Sequence, residues 1–77
     1  MKLKYFCNYD QDKKDFWAYV VSPYNFTIFE IHNSDDMLDL IESDVMENID
    51  DITGLEKYLK HENVIEEKDE IVLGGVA

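Results

Sequence analysis

The sequence has no arginine, one cysteine (Cys7), one proline (Pro23), three glycines and no long apolar run, and each scarcity removes a class of function. With no arginine, and 7 lysines against 18 aspartates and glutamates for a net charge of −11, direct binding to DNA or RNA is disfavoured. Affinity for a phosphate backbone comes largely from cationic side chains. The same balance disfavours an anionic membrane surface. One cysteine excludes an intramolecular disulfide and any Cys/His zinc spacing, which suits a reducing compartment. The longest apolar stretch, Ala18 to Val21, is too short to cross a bilayer, and the N-terminal residues lack the apolar core of a signal peptide. A cytoplasmic location is expected.

The few glycines form neither a phosphate-cradling loop nor a nucleophile elbow. His32 and His61 are far apart in sequence, and Asp50-Asp51-Ile52-Thr53-Gly54 lacks the oxygen-ligand spacing of a helix-loop-helix calcium site. A hydrolase or metal enzyme would need a cleft that sets one of these histidines beside carboxylates. The expectation is therefore a non-enzymatic protein with no cofactor and no metal. Cys7, which alternates with Leu3 and Tyr5, reads as a small buried hydrophobe.

What is present supports a fold. Apolar residues make up 45% of the chain and aromatics 13%, enough for a core and more than a disordered acidic tail carries. At 77 residues a single domain, 1–77, is expected. A charge of −11 repels itself and exceeds what solubility asks of a small domain, so the natural partner of this surface is basic.

Residues 2–8 alternate with period 2 and read as a strand, Phe16 to Ser22 as a second that forms a hairpin with it, and Asn25 to His32 as a third after a tight connection at Pro23. From Ser34, taken as the N-cap, the period changes to 3.6. Leu38, Ile41, Val45, Ile49 and Ile52 then form the core-facing stripe of one long helix. Thr53 and Glu56 read as a capping box that opens a short second helix, about Gly54 to His61, and Glu70 to Leu73 reads as a last strand. The expected class is α+β: a three-stranded antiparallel meander covered by one acidic amphipathic helix and a short second helix, with a C-terminal strand, in the order β-β-β-α-α-β. A single continuous helix across Asp50 to Gly54 fits nearly as well.

The candidate binding residues lie on the first helix. Between Glu30 and Glu56 there is no lysine, and Asp35, Asp36, Asp39, Glu42, Asp44, Glu47, Asp50 and Asp51 fall within that interval. On one helix, sixteen steps of about 1.5 Å would span roughly 24 Å, a carboxylate about every 3 Å, near the ~3.4 Å phosphate repeat of a DNA strand. The first three acids suit a helix N-terminus, whereas the last four would oppose the dipole at its C-terminal end. The plain alternative is a solvated helix face, although such faces usually mix signs. Leu40 would sit among these acids as an apolar anchor flanked by Met37 and Met46, or else be covered by a neighbouring segment. On the sheet, Trp17 and Tyr19 lie opposite Phe16, Ala18 and Val20, which gives a second candidate interface for a partner or a homodimer unless the C-terminal segment covers it.

Lys4-Tyr5-Phe6, the charged turn at Asp10 to Asp15, Phe16-Trp17-Ala18-Tyr19-Val20-Val21-Ser22-Pro23 and the helix opening at Ser34-Asp35-Asp36 resemble the layout of the N-terminal half of HicB-type antitoxins. That resemblance covers residues 3–50 and implies a partial RNase H-like fold that binds a small basic RNase toxin. The chain departs from the family's Asp-Leu-Pro-Gly-Cys-like segment after the second strand, where Tyr24-Asn25-Phe26 stands, and shows no counterpart of its DNA-binding domain. In size, charge and lack of catalytic motifs the chain also resembles small acidic phage inhibitors of anti-CRISPR and anti-restriction type, which would place it in a bacterial host cell. The leading expectation is an inhibitor that binds a basic nucleic-acid-binding enzyme or effector by mimicry. The alternatives are a HicB-like antitoxin and an oligomerising structural domain that uses its aromatic sheet face.

Overall fold

A computed structural model describes residues 1–76. Four strands and two helices follow one another as β1 (Lys2–Asp10), β2 (Asp15–Val21), β3 (Thr27–Ile31), α1 (Ser34–Glu42), α2 (Ile52–His61) and β4 (Glu70–Val76). The α+β class and the β-β-β-α-α-β order agree with the sequence. The strands form one sheet in the order β3-β2-β1-β4, antiparallel except for the β1–β4 pair. A parallel neighbour cannot be reached by a tight turn, and here both helices lie within the crossover from β3 to β4. β4 thus extends the sheet at the edge of β1, with Leu3 opposite Ile71 and Tyr5 opposite Leu73, and among the described residues no helix covers the second sheet face.

Alternation along the strands divides the two faces. Leu3, Tyr5 and Cys7 of β1 and Phe16, Ala18 and Val20 of β2 point into the core, where Met37, Met46, Leu55 and Leu59 meet them. α1 packs over β2 and α2 over β4. Tyr5 has no exposed surface, and its hydroxyl donates a 2.6 Å hydrogen bond to the Ile49 carbonyl, tying the helix connection to the centre of the sheet. Burial and the neighbouring Cys7 push the Tyr5 phenol well above its ordinary range, and burial raises the Cys7 thiol.

The first helix is much shorter than its period suggested. It stops at Glu42, where Asp44 enters the left-handed region (φ 60°). The Val45 amide donates to the Leu40 carbonyl at 2.9 Å, and the Asp44 amide donates to the Ile41 carbonyl at 3.1 Å. Those paired bonds are a Schellman stop with aspartate in the place glycine usually takes. α2 ends the same way, through Asn63 (φ 60°), with Val64 donating to Leu59 and Asn63 to Lys60. The buried side of α1 is accordingly Met37 with Leu40 and Ile41 packed beside it, an i, i+3, i+4 set. The expected stripe of Leu38, Ile41, Val45, Ile49 and Ile52 does not form. Leu38 is 49% exposed and Ile49 36% exposed, while Val45 and Ile52 pack on the core from outside the helix interior.

The caps shift too. Asn33, not Ser34, caps α1 by accepting from the Asp36 amide at 2.9 Å. Ser34 instead donates its amide to Asp15 at 3.0 Å, which pins the start of α1 to the start of β2. α2 begins two residues earlier than the Thr53 capping box implied, because the Asp51 side chain accepts from the Gly54 amide at 3.0 Å. Gly54 itself is required by close approach: a Cβ there would collide with the Val45 carbonyl. β3 starts at Thr27 rather than Asn25, since Asn25 (φ 65°) turns the chain left-handed and the Ser22 hydroxyl oxygen accepts from the Tyr24 and Phe26 amides.

Candidate functional site

Because α1 ends at Glu42, the eight carboxylates between Asp35 and Asp51 do not lie on one helix. Nine residues at about 1.5 Å each give α1 a length near 14 Å, so the ladder of phosphate-like spacing over roughly 24 Å is not built. What forms is a broader acidic side in two parts. Asp35, Asp39 and Glu42, spaced i, i+4, i+7, line the solvent face of α1 opposite Met37, with Asp36 at their flank. Asp44, Glu47 and Asp50 follow on the connection to α2, and all seven of these side chains are exposed. The dipole conflict read from the sequence is relieved at Asp51, which is an N-cap, and stays at the C-terminal end of α1, where Glu42 and Asp44 sit.

Asp51 is a structural residue. It is half-buried, and its two carboxylate oxygens accept from the Glu47 amide (2.9 Å) and the Gly54 amide (3.0 Å). Those bonds hold its carboxyl below the usual carboxylate value, the Glu47 amide contributing most. Asp15 and Asp69 are depressed for the same reason: Asp15 by the Phe16 and Ser34 amides, Asp69 by the Glu66 amide and then the chain's amino terminus.

Leu40 is not the exposed apolar group of this side. It is half-buried against the core, and Met37 and Met46 are fully inside. Leu38 takes that position, about 60° around the helix from the acidic stripe, and Ile49 lies exposed on the connection that carries Glu47 and Asp50. The spacing of Met37, Leu40 and Ile41 carried the right answer, but only for a helix known to be short.

Among the described residues, four of the ten acids outside this surface have an ion-pair partner. Glu30 pairs with His32 (3.1 Å), Glu56 with Lys60 (3.5 Å), Glu66 with Lys68 (3.2 Å), and Asp69 with the amino terminus (3.4 Å). Among the described residues, none of the carboxylates from Asp35 to Asp51 has an ion-pair partner.

A groove beside α2 brings His61, Lys57 and Tyr58 alongside Asp44, Glu47 and Asp51. It meets the condition set for a hydrolytic cleft only in composition. Asp51 spends its carboxylate on backbone amides, and among the described residues no group of three or more His, Cys, Asp and Glu side chains is placed to hold a metal ion. His32 stands elsewhere, exposed beside Glu30.

The opposite side of the sheet carries the second candidate surface. Tyr19 stacks on Phe6 and on Trp17, each pair with ring centroids 5.3 Å apart. Trp17 is 37% exposed and Tyr19 half-buried. No helix of the described residues is long and apolar enough to cross a membrane. No family model, no curated protein and no solved structure matches the chain, so its surfaces stand on their own geometry.

Proposed function

We propose that the chain is a non-enzymatic inhibitor whose acidic helical side occupies the nucleic-acid-binding surface of a basic protein. Asp35, Asp36, Asp39, Glu42, Asp44, Glu47 and Asp50 stand in for backbone phosphates, and Leu38 and Ile49 serve as apolar anchors among them. The observation that carries this reading is the run itself: no lysine stands between Glu30 and Glu56, and among the described residues none of the eight carboxylates from Asp35 to Asp51 has an ion-pair partner. Left unpaired, such charges repel one another in the free protein, and a basic partner relieves that repulsion on binding. Exposed apolar side chains rimmed by charge are a common arrangement for the centre of an interface.

The test uses the protein as bait in a host lysate at low and high salt, beside a variant carrying Asp39→Lys, Glu42→Lys and Glu47→Lys, with duplex DNA and RNA as competitors. Recovery of a nucleic-acid-binding protein that weakens steeply with salt, is displaced by nucleic acid and is lost with the variant is the expected result. Equal recovery by both baits, or recovery indifferent to nucleic acid, would sink mimicry.

A further inference from the structure

We propose that the open aromatic side of the sheet is the contact surface for a second copy of this chain, the two sheets stacking back to back with their helices outward. Both helices cover the other face, and the row Trp17–Tyr19–Phe6 runs across β2 and β1 with its rings stacked in sequence. The row continues over β4, because a Cβ at Gly74 would come within 2.7 Å of the Phe6 ring. Glycine at that position lets the end of the ring reach over the neighbouring strand, and half-buried Val21 and Val72 extend the apolar surface on either side. Sheets that pack face to face at about 10 Å interdigitate the side chains of their inner faces, and this apolar row supplies such side chains.

Electrostatics selects a second copy as the occupant. Residues 1–26, which supply most of this face, hold Lys2, Lys4, Lys13 and Lys14 against Asp10, Asp12 and Asp15. Residues 27–56 hold ten acids and no lysine. Two chains of charge −11 can therefore meet here at little Coulomb cost while their acidic sides point apart. The face is also self-complementary. Lys2 and Lys4 lie toward one end of β1, Asp10 lies at the other, and Phe6 stands midway on the same face. A two-fold axis through Phe6 sets Lys2 of each copy near Asp10 of the other, as an isologous contact demands. The remaining charges of the face, Glu30 and Glu70, sit on the edge strands β3 and β4, at the rim.

The experiment is sedimentation equilibrium from micromolar to millimolar protein at low and high salt, read with the fluorescence of Trp17, the single tryptophan. The expected result is a mass that rises from 9.1 kDa toward twice that value, with a blue shift of the emission and no weakening as salt is raised. Tyr19→Lys is expected to weaken association at least tenfold. Trp17→Ala, a milder change at a partly exposed site, repeats the test should Tyr19→Lys disturb folding, and circular dichroism confirms that each variant is folded. A mass of 9.1 kDa at every concentration, or a dimer equally strong in both folded variants, overturns the proposal. The acidic side lies across the molecule from this face, so loss of partner binding and loss of dimerisation are separate outcomes.

Discussion

The two faces of the sheet come from the same alternating strands and meet opposite fates. On one, Tyr5, Cys7, Ala18 and Val20 are sealed under two helices that, with the connection between them, carry nine of the 18 acids. On the other, Phe6, Tyr19 and Trp17 cover only one another. Period-2 alternation makes both faces apolar, so it cannot by itself say which one is core. The helices decide that, and the uncovered face is left with more aromatic surface than folding requires.

The sharpest way to break this comparison is to cut into each face in turn. Leu59→Ala empties a fully buried site under the helices and is expected to cost about 2–5 kcal/mol in urea unfolding. Trp17→Ala on the open side is expected to cost no more than about 1 kcal/mol, chiefly its stacking on Tyr19. Equal losses would mean that the open face belongs to the folding core.

The second comparison lies within the helical side, between its two special backbone positions. Alanine is better than glycine by about 1 kcal/mol in an ordinary helix, yet Gly54→Ala is expected to destabilise by about 1–3 kcal/mol, since the new methyl meets the Val45 carbonyl. Asp44→Gly should act in the other direction. It relieves the left-handed strain of a non-glycine residue in the helix stop and should raise stability by about 1 kcal/mol. Thermal unfolding of both variants checks the pair of signs, and a stabilising Gly54→Ala would refute the close approach of α2 to the α1 stop.

The smallest effect is in pH. Asp15, Asp51 and Asp69 are held below their ordinary value of 3.8 by amides that bind the ionised form. A depressed carboxyl adds stability that is fully present above its unfolded value and is lost as pH falls through its folded value. Stability from these three sites should therefore hold at neutral pH and decline below about pH 4, and Asp51→Asn should flatten that acid limb. An acid limb unchanged in Asp51→Asn would remove the cap from its assigned role.

Much of the fold was legible because its causes are local. Alternation along residues 2–8 and 16–22, the break at Pro23 and the amphipathic character of the segment after Ser34 each depend on neighbours within a few residues. The candidate site was legible in composition and not in shape. The absence of lysine between Glu30 and Glu56 located the unpaired acids, but the helix stop at Asp44 redistributed them. Aspartate is at home in a helix, a turn or a cap, so Ser43-Asp44-Val45 carries no unique signal, and Leu38 could pass for a core residue while Leu40 passed for an exposed one. Asn63 hid the second stop in the same way.

By itself, then, the sequence determined the element types and their order, the strand alternation and the acidic charge, all properties summed over short stretches of chain. Tertiary structure decided the rest: that β4 joins the edge of β1 rather than covering the second face, that Asp51 caps α2 instead of facing solvent, and that Tyr5 fastens the helix connection through Ile49. Each of these joins residues distant in the chain or turns on a single left-handed residue, and their free energies are set by partners that no local window contains.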